Sequence, residues 1–263
     1  MSFNNFYKSS LTVLALAATV AFAPTSSAAL ATYTQNFEGM TPLQGYPPND
    51  LSKDGWQIYG ILYETNPYTG PANRLGEYGP FPAANGEPGS IQGVATGQGG
   101  PSQGDVVLAK YTDYNNQDGL AIGYVSASTY QEQVIGSGDV GSIWRFSYDA
   151  KRGNIEADSS ALAYILTQDF TEGTDIFVSN DSTNLPVEWG RYSIDFLITS
   201  EMVGDTLTFG FVATATGIED NGSGIFYDNL VFAEVAPVPV PAAAWLFGSG
   251  LIGLVGAARR RKL

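Results

Sequence analysis

The sequence predicts an all-β fold, a two-sheet β-sandwich of the jelly-roll kind, and three observations carry that expectation. Charged residues make up only 14% of the 263-residue chain while aromatic residues reach 13%, a balance suited to pleated, half-buried surfaces. Period-two alternation of apolar and polar residues, the mark of strands with one buried face, recurs between Ala29 and Val235. Clusters of Gly, Asn and Asp separate the alternating segments, as a sandwich of short strands requires.

Taken in order, Tyr33, Gln35 and Phe37 alternate with Thr34 and Asn36 in the first expected strand. The stretch Asn66 to Gly104 is rich in Gly, Pro, Asn and Gln, and reads as a long surface loop with one short strand around Ile91 to Thr96. Further alternation sets Leu120, Ile122 and Tyr124 on one face, then Trp144, Phe146 and Tyr148 against Arg145, Ser147 and Asp149. Tyr192, Ile194, Phe196 and Ile198 repeat the pattern, as do Leu207, Phe209 and Phe211. The last strand, Ile225 to Phe232, is expected to place Phe226, Leu230 and Phe232 on one face with Asp228 among them. No long stretch has the 3.6-residue period of an amphipathic helix.

Charge narrows the range of partners. The net charge is −14, but Lys8, Arg259, Arg260, Arg261 and Lys262 lie in the terminal segments. The region between them carries seven basic against 26 acidic residues, a net of −19. Such a body repels nucleic acid and anionic headgroups and attracts divalent cations. There is no cysteine and no histidine, so disulfides, Ser-His-Asp and Cys-His machinery and imidazole metal ligands are all excluded. A metal here would be a hard cation held by oxygen, calcium first among them.

The two ends read as targeting segments. Residues 1–28 have a polar start with Lys8, an apolar run from Leu11 to Phe22 and small residues spaced for cleavage near Ala28 or Ala29, the pattern of a secretory signal peptide. Residues 29–235 form the expected sandwich domain. Residues 236–263 contain Val238-Pro239-Val240-Pro241, the uncharged run Ala242 to Ala258, and Arg259-Arg260-Arg261-Lys262. As a helix that run would extend about 26 Å at ~1.5 Å per residue, enough to cross a thinned bilayer as a single transmembrane helix. Its basic end would stay on the cytoplasmic side.

A Pro motif, an apolar helix and a terminal Arg cluster in this order resemble the PEP-CTERM sorting signal, in its VPLPA-type variant. The resemblance implies export, handling by an exosortase-type membrane processing enzyme, and a link to exopolysaccharide and biofilm. It also implies residence in the inner membrane, at least transiently, and then at the cell surface or outside the cell. The body resembles the jelly-roll domains of such proteins and galactose-binding-like carbohydrate modules, through Asn36-Phe37-Glu38-Gly39 with Gly55-Trp56, and through Phe226-Tyr227-Asp228-Asn229-Leu230-Val231-Phe232. That second resemblance implies adjacent first and last strands and a structural calcium there, with Glu38 and Asp228 as side-chain ligands and backbone carbonyls completing the shell.

Other constellations weigh less. Asp113 to Gly119 spaces oxygen side chains as calcium loops do, but the EF-hand positions six and twelve hold Asp118 and Tyr124 rather than Gly and Glu, so a polar turn is the better reading. Glu219-Asp220-Asn221-Gly222 is a second acidic loop. Glu156 and Asp158 would share a strand face, yet the Glu-x-Asp-x-x-Glu pattern of laminarinase-like sandwich enzymes fails at Ala161. Trp56, Trp144 and Trp189 are either core residues or platforms for sugar rings. The expectation is an exported surface or matrix protein with a non-catalytic binding or structural role. The alternative is a secreted polysaccharide hydrolase working through a carboxylate pair.

Overall fold

A strand with one apolar face is stable only when that face meets another, and the alternating segments meet in pairs across two antiparallel sheets. The computed structural model describes residues 29–42, 48–67, 70–78, 81–82, 90–91, 93–110, 122–155, 159–169, 175–216 and 223–236. The first sheet has the order β12 (Gly190–Leu197), β9 (Ile143–Ile155), β14 (Ser223–Glu234), β7 (Val106–Lys110) and β6 (Gly93–Thr96), with β1 (Tyr33–Gln35) also paired to β14. The second has the order β11 (Ile176–Asp181), β10 (Ser159–Gln168), β13 (Thr206–Thr216), β8 (Tyr124–Val134), β2 (Gln57–Tyr63) and β3 (Arg74–Tyr78). Short strands β4 (Phe81–Pro82) and β5 (Ser90–Ile91) pair with each other. From β8 to β14 the chain crosses between the sheets at every connection except β10 to β11, which pair as neighbours in the second, and it forms a β-sandwich.

The core is an aromatic stack between the inner faces. Phe209 of β13 lies 4.2 Å from Phe232 of β14, centroid to centroid, and Phe211 lies 3.6 Å from Tyr227, both pairs near parallel. Phe146 and Tyr148 of β9 lean on the same rings, and Trp144 stacks on Phe232 at 4.9 Å. All of these except Tyr227 are alternating residues that the sequence placed inside. A single helical turn, α1 (Asp50–Lys53), is capped by Asn49, whose side chain accepts from the Ser52 amide while the Ser52 hydroxyl accepts from the Asn49 amide.

Three expectations need correction. In β14 the core receives Ile225, Tyr227, Leu230 and Phe232, whereas Phe226 is only partly buried and faces away. The pairing with β9 slips between Asp228 and Val231, and Asn229 has φ 48°. That bulge inserts one residue and reverses the parity on which the expected face depended. Second, the stretch Asn66 to Gly104 is not loop with one strand: besides β6 at the expected place it holds the edge strand β3, paired with β2. Its segment Arg74-Leu75-Gly76-Glu77-Tyr78 has too few apolar residues to alternate. Third, the first strand stops at Gln35, because Phe37 turns to φ 58° while remaining buried.

Ile122 is buried but precedes β8. Leu120, the segments 1–28 and 237–263, the loop Asp113 to Gly119, Glu156 and Asp158, and Glu219 to Gly222 lie outside the described residues. Among the described residues no helix is long and apolar enough to cross a membrane.

Candidate functional site

Two features of the fold stand out chemically: a knot of carboxylates where the first and last strands meet, and an aromatic outer face on the second sheet.

The knot begins with β1 lying antiparallel to β14, Tyr33 opposite Phe232 and Gln35 opposite Leu230. The turn after β1 delivers Glu38 to the start of β7, where its Oε1 accepts from the backbone amides of Asp105 and Val106, each at 2.8 Å. Gly104, at φ +64°, makes the room: a Cβ there would come within 2.2 Å of that same oxygen. The β14 bulge puts Asp228 in full burial, its Oδ1 accepting from the Asn229 amide at 2.6 Å and its Oδ2 without a hydrogen-bond partner. A buried carboxylate oxygen without a hydrogen-bond partner is costly.

Asp149 of β9 faces Asp228 in register. It accepts from Gln103 Nε2 at 2.7 Å, Asn229 Nδ2 at 2.8 Å and Arg191 Nη1 at 3.0 Å. Arg191, on β12, also donates to the Asn229 carbonyl at 2.6 Å, and Asn229 Nδ2 donates to the Ser102 carbonyl at 2.8 Å. Burial pushes the Asp228 carboxyl up to about 7, with the charges of Asp149 and Glu38 adding to the effect and the Asn229 amide opposing it. For Asp149 burial also acts upward, but the hydrogen bonds from Asn229, Gln103 and Arg191, with the charge of Arg191, hold it below the usual carboxylate range.

Glu38 and Asp228, the two residues singled out from the sequence, are thus brought within electrostatic reach of each other. Among the described residues no group of three or more His, Cys, Asp or Glu is arranged to hold a metal ion. A cation here would draw on these two carboxylates and on neighbouring carbonyls. The unpartnered Asp228 Oδ2 and the all-oxygen donor set suit calcium. Sequence reasoning missed Asp149, Gln103 and Arg191, because sheet register brings them in from strands distant in the chain. A cavity of about 330 Å³ lies beside the knot, lined by Gln35, Asn36, Arg191 and Asn229 among others.

The second feature is a set of side chains on the face of the second sheet turned away from the core, where Tyr130, Tyr164 and Ser126 are buried and Tyr59, Phe177, Ser128, Ser160 and Thr214 are partly exposed. Register aligns Tyr164 of β10, Gly210 of β13 and Tyr130 of β8 in one row. A side chain at Gly210 would run into the backbone of Thr129 and Tyr130, so the row is a glycine floor between two tyrosines. Tyr130 and Tyr164 are themselves well packed, and each supports a more exposed ring: Tyr59 beside Tyr130 at 6.2 Å and Phe177 beside Tyr164 at 5.6 Å. The next rows carry hydroxyls, Ser128 beside Val212 and Ser126 beside Thr214, with Ser160 Oγ 2.7 Å from Thr214 Oγ1.

Of the three tryptophans singled out from the sequence, Trp56 and Trp144 belong to the core, so neither can stack on a ligand. Trp189 is half-buried, donates to the Gln98 carbonyl, and lies under Lys151 Nζ at 5.3 Å. Val238, Pro239, Val240, Pro241, Arg259, Arg260 and Arg261 lie outside the described residues.

No protein-family model matches the chain, and the search of curated proteins returned no match. Among solved structures, the chain is similar to the CBM22-1 xylan-binding domain of Paenibacillus barcinonensis Xyn10C, at 10% identity and TM-score 0.39 over 82% of this chain and 100% of that one. It is also similar to the Stig cyclase Fisc of Fischerella sp. TAU, at 14% identity and TM-score 0.42 over 78% and 98%. A third likeness is to the enzymatically active domain of tailspike protein 4 of bacteriophage CBA120, at 15% identity and TM-score 0.29 over 49% of this chain. The chain spans only 18% of that tailspike chain. At these scores the likeness is too slight to assign a ligand or an activity.

Proposed function

We propose that this chain is an exported, non-catalytic, polysaccharide-binding β-sandwich, carried to the cell surface by its C-terminal PEP-CTERM-like segment and held in shape by calcium at Glu38 and Asp228. The observation that carries the binding role is the outer face of the second sheet. Sugar rings have apolar C–H faces that stack on aromatic side chains and hydroxyl rims that seek hydrogen bonds. Tyr59 and Phe177 offer rings on β2 and β11, four interstrand spacings of ~4.8 Å apart across the sheet and four residues of ~3.4 Å apart along it, about 23 Å in all. Between them the hydroxyls of Ser128, Ser160 and Thr214 are partly exposed, over a buried layer of Gly210, Tyr130 and Tyr164. A span of that length suits several sugar units. The exposed carboxylates of Glu132 and Asp181 lie at the ends of the same face, which favours a neutral chain over an anionic one.

Catalysis is less well supported. Glycosidic cleavage needs two carboxylates flanking an open cleft, whereas Asp149 and Asp228 face each other under the loop that carries Ser102 and Gln103. Retardation in gels containing the host's own exopolysaccharide tests the binding role. Tyr59→Ala and Phe177→Ala should each weaken binding about tenfold or more with the fold intact by circular dichroism, and undiminished binding by both would overturn the assignment. Deleting Val238 to Leu263 should release the protein from the membrane fraction, and Glu in place of Arg259, Arg260 and Arg261 should impair anchoring. An unchanged distribution for both variants would remove the sorting role.

A further inference from the structure

Among the described residues, five of the eight large apolar side chains left exposed lie at one end of the sandwich: Val134, Val140, Ile143, Leu197 and Val203, exposed by 40–53%. Two crossovers between the sheets run side by side there, 134–143 and 197–205. They are joined by hydrogen bonds from the Gly141 amide to the Ile198 carbonyl, from the Ile198 amide to the Ser142 carbonyl, and from the Ile135 amide to the Asp205 carbonyl. Ile143 and Leu197 are register partners on the outer face of the first sheet. Both ends of the sandwich domain are fastened at this same pole. The Leu30 amide donates to Asp139 Oδ2, and the Val235 amide donates to the Ile143 carbonyl immediately after β14 ends. Scattered single apolar residues need no explanation, but a collar of them around the exit of the chain does.

We infer that this pole is a membrane-apposed face, its apolar collar resting on the lipid surface while the tail anchors the chain. The inference rests on the reading of Ala242 to Ala258 as a membrane span. Only residues 237–241 separate the pole from that run, a tether of about 17 Å when fully extended. The collar is therefore confined within reach of the headgroups, where shallow apolar insertion is favourable. The acidic groups at this end include Glu132, Glu201, Asp205 and Glu234, and Arg145, at the same end, already pairs with Asp195 in a two-pronged contact. The surface that fits is accordingly a neutral, zwitterionic one.

The chain has no cysteine, so single cysteines can carry a fluorophore at V140C and L197C, with N184C at the opposite pole as control. The full chain is reconstituted in phosphatidylcholine vesicles with brominated acyl chains, and flotation is measured on the same samples. Quenching at positions 140 and 197 should exceed that at 184 by at least threefold and fall when phosphatidylglycerol is added at low salt. Ile143→Ser with Leu197→Ser should roughly halve the quenching at position 140. Equal, weak quenching at all three positions in a chain that floats would overturn the inference and leave the anchor standing. A chain that fails to float removes both. Shielding of positions 140 and 197 that depends on protein concentration without lipid would mean that a second copy covers the collar, which also overturns it.

Discussion

Asp228 and Asp149 are register partners across β14 and β9, and their surroundings separate their acidities. Asp149 has three donors and stays charged, while Asp228 keeps one oxygen without a partner and is pushed up to about 7. A raised folded-state value means that the protonated Asp228 contributes stability fully below the ordinary carboxylate value of 3.8, and that this contribution is lost as pH rises through 7. Asp149, shifted the other way, loses its contribution only as pH falls below the usual carboxylate range. In chelator, then, the protein should melt higher at pH 5 than at pH 8. Calcium at pH 8 should restore the loss by taking the proton's place, adding about 2.7 kcal/mol at a hundredfold excess over its dissociation constant. Asp228→Asn should flatten both responses. Melting curves that ignore pH, calcium and this substitution would eliminate the site.

Gly104 tests the metal site separately from the fold. At φ +64° a non-glycine residue costs about 1 kcal/mol, and the added Cβ would press on the Glu38 carboxylate. That carboxylate is the free end of a flexible side chain and can move aside, so Gly104→Ala should fold. It should weaken calcium binding, measured by calorimetry, much more than it lowers the melting temperature in chelator. Equal calcium affinity in wild type and Gly104→Ala would show that Glu38 is no ligand.

Asn229 holds the bulge. Its φ of 48° is one that asparagine tolerates better than alanine, and its Nδ2 donates to both Ser102 O and Asp149 Oδ2. Asn229→Gly should lose the two hydrogen bonds but keep the turn, costing about 1 kcal/mol. Asn229→Ala adds backbone strain, for about 2 kcal/mol in all. Asn229→Asp keeps the turn preference but places a third carboxylate beside Asp149 and Asp228, so without calcium it should be the least stable of the three. Urea denaturation orders them, and an aspartate variant as stable as the glycine one would contradict the electrostatic account.

How much of this was legible in the sequence depends on how far each feature reaches along the chain. The core strands were readable, because Trp144-Phe146-Tyr148 and Leu207-Phe209-Phe211 alternate locally and are all buried. Phe226 was misplaced because a bulge leaves no mark on alternation until partner register is known. Glu38 and Asp228 came from short motifs, but Asp149, Gln103 and Arg191 join them only through register and a returning loop. The row Tyr164–Gly210–Tyr130 spans three strands. No one-dimensional period encodes it.

Tyr33 and Asp54 tie the two sheets together at the start of the domain. The Tyr33 hydroxyl, on β1 of the first sheet, donates to Asp54 Oδ2 in the turn leading into β2 of the second, and the same carboxylate oxygen accepts from Gln35 Nε2 at 2.7 Å. The hydroxyl in turn accepts from Trp56 Nε1 at 2.8 Å. Trp56 is a core residue with 2% of its surface exposed, so its indole N–H has little access to water if the hydroxyl is removed. Tyr33→Phe keeps the ring contacts with Trp56 and Phe209 but strands that donor, at a cost of about 2 kcal/mol. For a domain of this size the melting temperature should fall by about 4–8 °C. Trp56→Phe in the Tyr33→Phe background removes the stranded donor, so the double variant should lose less than the sum of the two single losses. Additive losses would mean that the hydroxyl and the indole do not act as a pair, and that the first strand is held by β14 alone.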